Sequence, residues 1–474
     1  RGGGADQNLI ILDDAPVYNA SHLFGFFSVF NGDAVKNMQL YKGGFPARFG
    51  GRLSSVLDIQ MKDGNKQEFH GEAGIGLISS RLMVEGPLLK NKASFLISGR
   101  RTYIDALIRP FMPSDSKLGY FFYDLNAKIN YDINPNNKLF VSGYFGKDKF
   151  SIYDKYGDDN HVTENDISFY WQNATSTIRW NHIFNNQLFS NLSVYLSDYT
   201  LKLGEEVSNK NTIDNTEYKY EASFNSGIRD VGLKYDVSWL PLPNHIVRMG
   251  LSSVYHLFTP SAMVLRDDEI NQNEREVEQY HSFESGLYIE DEIKFGDWLS
   301  LNPGLRLSHF YANKRSYQHI EPRLSVNVKM SPQLSWKSSY ASMNQYVHLL
   351  SPTGIGLPTD LWVPSTDKIP PQQTWQVATG LAYDWLAPNV EVSIEGYYKK
   401  ADHVMGYKEG ASFLFMDNPI DSEKVDWENK VTSGQGWSYG VEFLLHRKQG
   451  RFSGWIGYTL SWTQLQFDSL NFGK

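Results

Sequence analysis

Apolar and polar residues alternate along most of the chain from Glu68 onward. Between Phe121 and Tyr131 the odd-numbered positions are apolar or aromatic, and the even-numbered positions from 124 onward are Asp124, Asn126, Lys128 and Asn130. The same alternation recurs in the stretches 231–239, 324–330 and 439–445. A period of two is the signature of a β-strand that has one apolar face. The pattern therefore predicts an all-β fold.

The connections between the predicted strands are of two kinds, and the two kinds alternate. Short turns are predicted at 87–91, 134–137, 185–186, 241–244, 296–297, 331–332, 387–389 and 448–450. Long polar loops are predicted between them, at 104–117, 148–167, 202–226, 258–282, 311–320, 342–373 and 399–436. Outer-membrane barrels have short turns at one end and long loops at the other. The pattern favours a transmembrane antiparallel β-barrel with strands of roughly 9 to 12 residues.

The positions opposite the apolar face carry many charges. They include Lys128, Arg179, Lys234, Asp236, Arg248, Glu290, Glu292, Arg306, Arg323, Lys329, Glu391, Glu395 and Glu442. Each strand taken alone fits an ordinary antiparallel sheet with one wet face. So many charges are too polar for a packed core, whereas a large barrel has a polar lumen that solvates or pairs them. The apolar face is then expected to contact lipid.

The composition argues against several classes of protein and of binding site. The 474 residues contain 53 acidic and 45 basic side chains, for a net charge of −8, so no broad basic surface for nucleic acid is expected. Cysteine is absent from the sequence, which argues against disulfides and cysteine-ligated metals. No apolar run approaches the ~18 residues of a membrane-spanning helix. The chain opens at Arg1 without a signal peptide, and we expect a mature protein or a fragment.

The strand count suggests that the barrel is incomplete. Eight short turns imply sixteen strands, and the glycine-interrupted stretch from Glu68 to Glu85 is predicted to form two strands in place of one, which gives seventeen. A closed antiparallel barrel of one chain has an even number of strands. We therefore expect the C-terminal strands to be missing from this sequence.

Four stretches of the chain have distinctive sequences: YKGGFPARFGG at 41–51 followed by SSVLDIQMK at 54–62, EPRLSVNVKMSP at 321–332, LPTDLWVPSTDKIPPQQTWQVATG at 357–380 and GWSYGVEFLLHRKQGRFSGWIGYTLSWT at 436–463. Together they resemble the TonB-dependent outer-membrane receptors, particularly those of Bacteroidetes. The resemblance implies a bacterial outer-membrane protein whose residues 1–67 are the C-terminal part of a plug domain. Residues 68–474 would be a barrel lacking its last strands, with about 17 of 22 strands present, so that the chain is truncated at both ends.

The resemblance also implies a mechanism and partners. Substrate would bind the outer loops and the plug apex, and a TonB-type periplasmic energy-coupling protein would pull on an N-terminal box that this sequence lacks. Outer-membrane lipids are expected around the barrel, and a surface lipoprotein or other outer-membrane subunits are further candidate partners. The resemblance points to substrate contacts at Tyr18, Asn19 and His22 of the plug and at Asp360 and Trp362 of a loop. Interface aromatics or loop packing are the alternative for Trp362 and its neighbours.

The glycine-rich stretch from Tyr41 to Ile59 admits two interpretations. A phosphate-binding loop is disfavoured, because no Gly-Lys-Ser/Thr sequence follows. The favoured interpretation is a plug motif made of Gly43, Gly44, Arg48, Gly50, Gly51 and Arg52. Its glycines permit tight turns and a close approach to the barrel wall. We expect Arg48 and Arg52 to pair with wall carboxylates such as Glu290, Glu292 or Glu442, because an unpaired buried arginine would be costly.

Catalysis and metal binding are not indicated by the sequence. The twelve histidines are scattered, and no Ser-His-Asp arrangement is readable, so we predict neither enzyme activity nor a cofactor. The acidic run between Asp267 and Glu278 lacks the spacing and glycine of a calcium loop. Two functions are left open. One is TonB-coupled import of a scarce nutrient, such as an iron chelate, a glycan or a peptide. The other is a receptor-fold barrel that serves as a structural or docking subunit of a larger outer-membrane complex.

Overall fold

The computed structural model describes residues 1–158, 160–268, 272–351, 360–385, 389–409, 427–470 and 473. Within these residues the chain is almost entirely β-structure. Helical structure is limited to a five-residue α-helix, Ile104–Ile108, and to short 3-10 turns at Ala5–Gln7, Leu23–Gly25, Arg109–Phe111 and Trp427–Lys430. The described part of the chain contains no helix that is long and apolar enough to cross a membrane.

The N-terminal segment, residues 1–69, forms two small sheets. Its strands are β1 (Asn8–Leu12), β2 (Ala15–Pro16), β3 (Ser21–His22), β4 (Phe27–Ser28), β5 (Val35–Lys42) and β6 (Ser55–Met61). The first sheet has the order β2-β1-β6-β5, in which β1 and β6 are parallel and the other pairs are antiparallel. The second sheet pairs β3 with β4.

Seventeen antiparallel strands follow and curve into a barrel wall. They are β7 (His70–Ile75), β8 (Ser79–Leu89), β9 (Ala93–Thr102), β10 (Ser116–Asn134), β11 (Asn137–Gly157), β12 (His161–Asn185), β13 (Leu188–Asn211), β14 (Thr216–Trp239), β15 (His245–Asp267), β16 (Gln272–Phe295), β17 (Leu299–Ala312), β18 (Arg315–Lys329), β19 (Leu334–Gln345), β22 (Gln372–Trp385), β23 (Val390–Tyr407), β24 (Val431–Arg447) and β25 (Gly454–Gln466). An inserted hairpin, β20 (Val347–Leu350) with β21 (Leu361–Pro364), pairs only with itself.

The number of barrel strands agrees with the seventeen predicted from the turns, including the division of the stretch 68–85 into β7 and β8. Antiparallel ladders join each strand to its neighbour from β7 around to β25. The wall is not closed into a complete cylinder.

The alternation of side chains is confirmed. In β10 the polar residues Asp124, Asn126 and Lys128 are buried, while Leu125 and Ile129 are exposed on the outer surface. The same outward apolar face continues around the wall, for example at Ile178, Leu196, Leu233, Leu287, Leu307, Leu381 and Ile394. An apolar outer band is what a barrel needs in order to meet hydrocarbon.

The strands are longer than the 9 to 12 residues predicted. β12 has 25 residues, and β13 and β14 have 24 each. Stretches predicted to be long loops, such as 148–167 and 202–226, are instead tall hairpins whose ladders continue to the tip. These stretches lose the apolar alternation, but strand pairing still supplies every backbone hydrogen bond outside the bilayer. The short turns lie together at the opposite end, and the turn predicted at 387–389 falls mostly outside the described residues.

The N-terminal segment lies within the curve of the wall. Its side chains contact inward-facing groups on strands from β9 around to β24, for example through Asn31 with Ser98, Asp14 with Arg179 and Arg1 with Glu442. Its apolar residues pack together with wall side chains, since the cluster of Phe45 and Leu53 includes Met343, and the cluster of Ile59 and Met61 includes Tyr144. The segment is therefore joined to the wall through both polar and apolar contacts.

Candidate functional site

The glycine-rich loop between β5 and β6 lies against the inner wall. Gly43 and Gly51 have φ angles of +64° and +76°, a left-handed conformation that favours glycine. A Cβ added to Gly43 would lie 2.2 Å from Nε2 of Gln376, and one added to Gly44 would lie 2.7 Å from Cβ of Ser339. Side chains at these positions would separate the loop from the wall.

Gly50 and Gly51 make room for two charged side chains of the wall. A Cβ on Gly50 would lie 2.2 Å from Nε of Arg306, and a Cβ on Gly51 would lie 2.7 Å from Oε1 of Glu284. In this loop the glycines therefore do more than permit a turn. They allow wall side chains to pass directly over the backbone.

Arg48 contacts a wall carboxylate that the sequence analysis named. Its Nη1 donates to Oε1 of Glu290 at 2.6 Å, and its backbone N–H lies 3.3 Å from the other carboxylate oxygen. Its Nη2 donates to the Tyr41 hydroxyl at 3.0 Å. Burial alone would lower the pKa of Arg48, but the carboxylate of Glu290 outweighs burial and raises it. The arginine is therefore a fixed cation at the wall.

Arg52 differs from the expectation that it pairs with a wall carboxylate. It is buried, with 6% of its surface exposed, and its Nη1 donates to the carbonyl oxygen of Gly51 at 2.7 Å. Its guanidinium lies over the ring of Trp362, 5.8 Å from the centroid. The acids named as partners are engaged elsewhere, since Glu290 holds Arg48, Glu292 lies 3.6 Å from Arg248, and Glu442 holds Arg1.

His22 is enclosed between two carboxylates of the wall. Its Nδ1 lies 2.5 Å from Oδ2 of Asp148, and its Nε2 lies 2.7 Å from Oδ1 of Asp124. Because carboxylates accept hydrogen bonds, we infer that both ring nitrogens carry protons. Burial alone would lower the pKa of His22, but its hydrogen bonds to Asp124 and Asp148 outweigh burial and raise it. Both nitrogens are occupied by the wall, so neither is presented to a ligand.

Tyr18 and Asn19 are also bonded to the wall. The Tyr18 hydroxyl donates to Oδ2 of Asp230 at 2.5 Å. The Asn19 backbone N–H and carbonyl bond the side-chain amide of Asn173 at 3.3 and 2.8 Å. Burial, together with the negative charge of Asp230, raises the pKa of Tyr18 well above its ordinary value, so its proton stays on the hydroxyl.

The inserted hairpin brings Trp362 to the N-terminal segment. Trp362 is buried, and its ring lies edge-on to that of Tyr18, with centroids 4.8 Å apart. Asp360, at the start of β21, is buried as well. The structure thus brings Tyr18 and Trp362 together, although they are far apart in sequence. The hairpin therefore packs on the N-terminal segment through this pair of rings.

Above the segment, toward the tall hairpins, the lumen becomes apolar. The upper inward positions of β10 and β12 are aromatic, including Phe122 and Trp171, whereas the next inward positions, Asp124 and Asn173, are polar. A buried cluster there includes Tyr120, Phe122, Phe169, Trp171, Tyr199, Leu201, Phe224, Phe258, Leu361, Trp362 and Trp427. This cluster was not predicted from the sequence, because these aromatics were counted within strands or assigned to loops.

The tip of the N-terminal segment, residues 21–29, contributes aromatic residues to this region. Phe24 is 48% exposed and lies 5.2 Å from the ring of Trp171, and Phe26 is 82% exposed. Leu23 and Phe24 have φ angles of +47° and +52°, which are uncommon for such side chains. Backbone strain of this kind is often concentrated at ligand-contacting loops.

Lys128 is another wall residue that the sequence did not single out for contact. Its Nζ lies 3.0 Å from a carboxylate oxygen of Asp13, 3.1 Å from one of Asp63 and 3.0 Å from the carbonyl oxygen of Met61. Its inward parity could be read from the alternation, but its partners depend on the folded segment. Among the described residues no group of histidine and acidic side chains is arranged to hold a metal ion. Most of the acidic run lies outside this statement, because the structure does not describe residues 269–271 or the side chains of residues 267 and 272–276.

Comparison with known proteins assigns the family. The family model described as TonB dependent receptor-like, beta-barrel matches residues 102–473. No curated protein matches the sequence. Among solved structures, the chain is similar to the FrpB iron transporter from Neisseria meningitidis, with a TM-score of 0.66 and 12% identity over 100% of this chain and 74% of that one.

Two other solved structures are similar as well. The pyoverdine outer membrane receptor FpvA from Pseudomonas aeruginosa has a TM-score of 0.63 and 14% identity over 97% of this chain and 70% of that one. The alcaligin outer membrane receptor FauA from Bordetella pertussis has a TM-score of 0.55 and 12% identity over 96% and 72%. At these identities the structures show the fold alone, whereas the family model covers most of the chain. The chain belongs to the TonB-dependent receptor family, whose members are non-enzymatic β-barrel proteins of the bacterial outer membrane.

Proposed function

We propose that this chain is a receptor of the Bacteroidetes type for TonB-coupled import of a scarce nutrient. In this proposal residues 1–67 are the C-terminal part of a plug, and residues 68–474 belong to the barrel that the plug gates. The observation that carries the proposal is the polar attachment of the N-terminal segment across the lumen. A passive pore would not be obstructed in this way.

The character of the attachment supports a plug that moves. Many of its contacts are ion pairs and hydrogen bonds, such as Arg48 with Glu290 and Lys128 with Asp13 and Asp63. Groups of this kind are solvated by water when they separate, whereas a large apolar interface would resist separation in water. A periplasmic TonB-type protein that pulls on the segment therefore works against contacts that water can replace.

For substrate contact we propose the upper surface of the segment and the hairpin β20–β21. Tyr18, Asn19, Asp360 and Trp362 remain the candidate residues, with Phe24 and Phe26 added because they are exposed at the tip. His22 would act by holding the tip in place, since both its ring nitrogens are bonded to the wall. The nutrient classes under consideration are an iron chelate, a glycan and a peptide.

A cross-link between segment and wall tests the proposal. Asn31 of the segment donates to the Ser98 hydroxyl of β9 at 2.7 Å, and the chain has no natural cysteine. In N31C/S98C, joined by a disulfide or a short thiol cross-linker, uptake of the nutrient that supports growth should be lost when oxidised and restored by reductant. The single variants N31C and S98C are the controls. Uptake that persists in the fully cross-linked protein would contradict a moving plug.

The second candidate is a docking subunit of a larger outer-membrane complex. The tall hairpins formed by β11 to β14 favour it, because they present a long polar surface above the membrane to a surface lipoprotein or another subunit. Stable co-purification of such a partner, together with growth that is indifferent to the N31C/S98C cross-link on all three nutrient classes, would support this second function over import.

A further inference from the structure

A small cavity lies between the glycine-rich loop and the wall. Its volume is about 110 Å³. The charged and polar side chains that line it include Tyr18, Arg52, Asp230, His256, Glu284 and Arg306. It lies below the aromatic region and is separate from the exposed tip of the segment.

Two buried arginines face this cavity without an acidic partner. Arg52 is 6% exposed and Arg306 is 4% exposed. Within the described residues, neither guanidinium has a nitrogen within 4.0 Å of a carboxylate oxygen. Arg306 donates from Nη2 to the Ser252 hydroxyl at 3.1 Å, and its Nε is buried without a hydrogen-bond partner.

The acids near the cavity are already engaged or stand apart. Asp230 accepts from the Tyr18 hydroxyl at 2.5 Å and from Nδ1 of His256 at 2.7 Å. Glu284 lies 3.8 Å from Nε2 of His256, and that nitrogen has no hydrogen-bond partner. The local groups therefore leave Nε of Arg306 and Nε2 of His256 without hydrogen-bond partners.

The backbone around Arg306 is shaped to admit its guanidinium. A Cβ on Gly286 would lie 2.1 Å from Nη2 of Arg306, and a Cβ on Gly50 would lie 2.2 Å from its Nε. Two glycines, one on β16 and one on the segment, therefore accommodate a side chain that forms no ion pair within 4.0 Å among the described residues. A buried cation without a partner is strongly unfavourable, so the surrounding structure must supply a compensating group.

We propose that this cavity binds a small inorganic anion, a halide or an oxyanion of phosphate size, between Arg52 and Arg306. Guanidinium groups present several N–H donors in a fixed plane and are well suited to bind anions. Because Arg52 belongs to the segment and Arg306 to the wall, the anion bridges the two. In the import function proposed above, on which this step rests, movement of the segment separates the two arginines and releases the anion. The site stands whether or not the chain imports a nutrient.

Bromide provides the direct test. Crystals of the complete chain in detergent are soaked in sodium bromide, and anomalous scattering locates the ion. A peak in contact with both guanidinium groups is expected. In solution, thermal unfolding is followed in bromide, in phosphate and in gluconate at matched ionic strength. Stabilisation that saturates is expected with bromide or phosphate and not with the bulky gluconate.

Three variants make the test specific. R306Q should weaken anion binding by about tenfold or more, because it removes a charged donor. E284Q should strengthen it by about tenfold, because it removes the nearby negative charge, and this variant keeps the test valid if R306Q fails to fold. R229Q is the matched control, since Arg229 is exposed and paired with Asp198. The proposal would be overturned by absence of a bromide peak together with absence of saturating stabilisation by phosphate, or by titrations that are equal in wild type and E284Q.

Discussion

The ring of Tyr18 lies edge-on to the indole of Trp362, with centroids 4.8 Å apart. The first residue belongs to the N-terminal segment and the second to a hairpin inserted from the wall. Edge-to-face pairs of this kind contribute roughly 0.5–1.5 kcal/mol beyond the area that they bury. The contact links the segment to the hairpin that covers it, so a change at one is transmitted to the other.

Removal of the Trp362 ring should loosen the hairpin. W362A deletes a buried aromatic that packs on Tyr18 and lies beside Arg52, and such truncations cost about 3–5 kcal/mol. Faster amide hydrogen exchange is expected in residues 347–350 and 361–364, measured by mass spectrometry on the protein in detergent. The matched control is W298A, because Trp298 is exposed in a short turn. Equal protection of the hairpin in W362A and W298A would show that the ring does not hold it.

The ion pair between Arg48 and Glu290 should stabilise the glycine-rich loop more than an exposed ion pair of similar length would. E290Q leaves Arg48 without its carboxylate in a buried setting, where loss of one partner costs about 3–5 kcal/mol. Hydrogen exchange in residues 41–59 should rise by at least tenfold. K155A removes the exposed pair of Lys155 with Glu164, at 2.8 Å, and should change exchange little. If E290Q behaves like K155A, Arg48 does not anchor the loop.

Gly50 should tolerate no side chain. In G50A the new Cβ would lie 2.2 Å from Nε of Arg306, and crowding of this kind costs roughly 1–3 kcal/mol. G32A is the control within the same segment, because a Cβ on Gly32 meets nothing within 4 Å. Passage of large antibiotics through the outer membrane of cells reports the fit of the segment. It should increase in G50A and not in G32A, provided that both proteins reach the membrane in equal amounts.

The attachment of the tip should weaken as pH rises. The carboxylates of Asp124 and Asp148 hold the pKa of His22 above its ordinary value despite burial. The same two carboxylates accept hydrogen bonds from the cation of Arg100 and from the neutral hydroxyls of Tyr120 and Tyr144. Because its pKa is raised in the folded state, protonated His22 stabilises the folded tip fully below about pH 6.5, the ordinary histidine pKa. This stabilisation is lost as pH rises through the raised pKa of His22 in the folded protein.

Cysteine labelling measures this pH dependence. Val29 is buried and Phe26 is exposed on the same tip, so V29C reports opening while F26C corrects for the reactivity of the thiol itself. The ratio of the V29C to the F26C labelling rate should increase with pH in the otherwise unchanged protein. With H22Q added, labelling of V29C should be faster at every pH and the ratio should be flat. A flat ratio with His22 present would show that its charge does not hold the tip.

Much of the wall could be predicted from the sequence, because period-two alternation depends on each strand alone. The inward position of Lys128 and the outward position of Leu125 follow from parity in β10. The height of the hairpins could not be predicted in this way. Outside the bilayer a strand has no apolar face to reveal it, and its ladder is formed by backbone groups that any sequence supplies.

Only part of the candidate site, like only part of the wall, could be predicted from the sequence. The glycines and Arg48 could be identified as a loop that approaches the wall, because conformational freedom and charge are properties of single residues. The partners of Arg52 and His22 could not be identified. They depend on which wall carboxylates are already engaged, as Glu290 is by Arg48, and this is settled only when distant strands meet.

Strand β12 is much longer than the apolar band of the membrane requires. Its 25 residues, at roughly 3.3 Å each, span about 80 Å along the strand, or about 60 Å of height at a tilt of ~40°. The apolar band of such a barrel is only about 25 Å tall. More than half of this strand therefore stands clear of the hydrocarbon. In the import function proposed above, a nutrient would travel along this raised wall before it reaches the segment, so the height of the strands adds a path on which its size and shape matter.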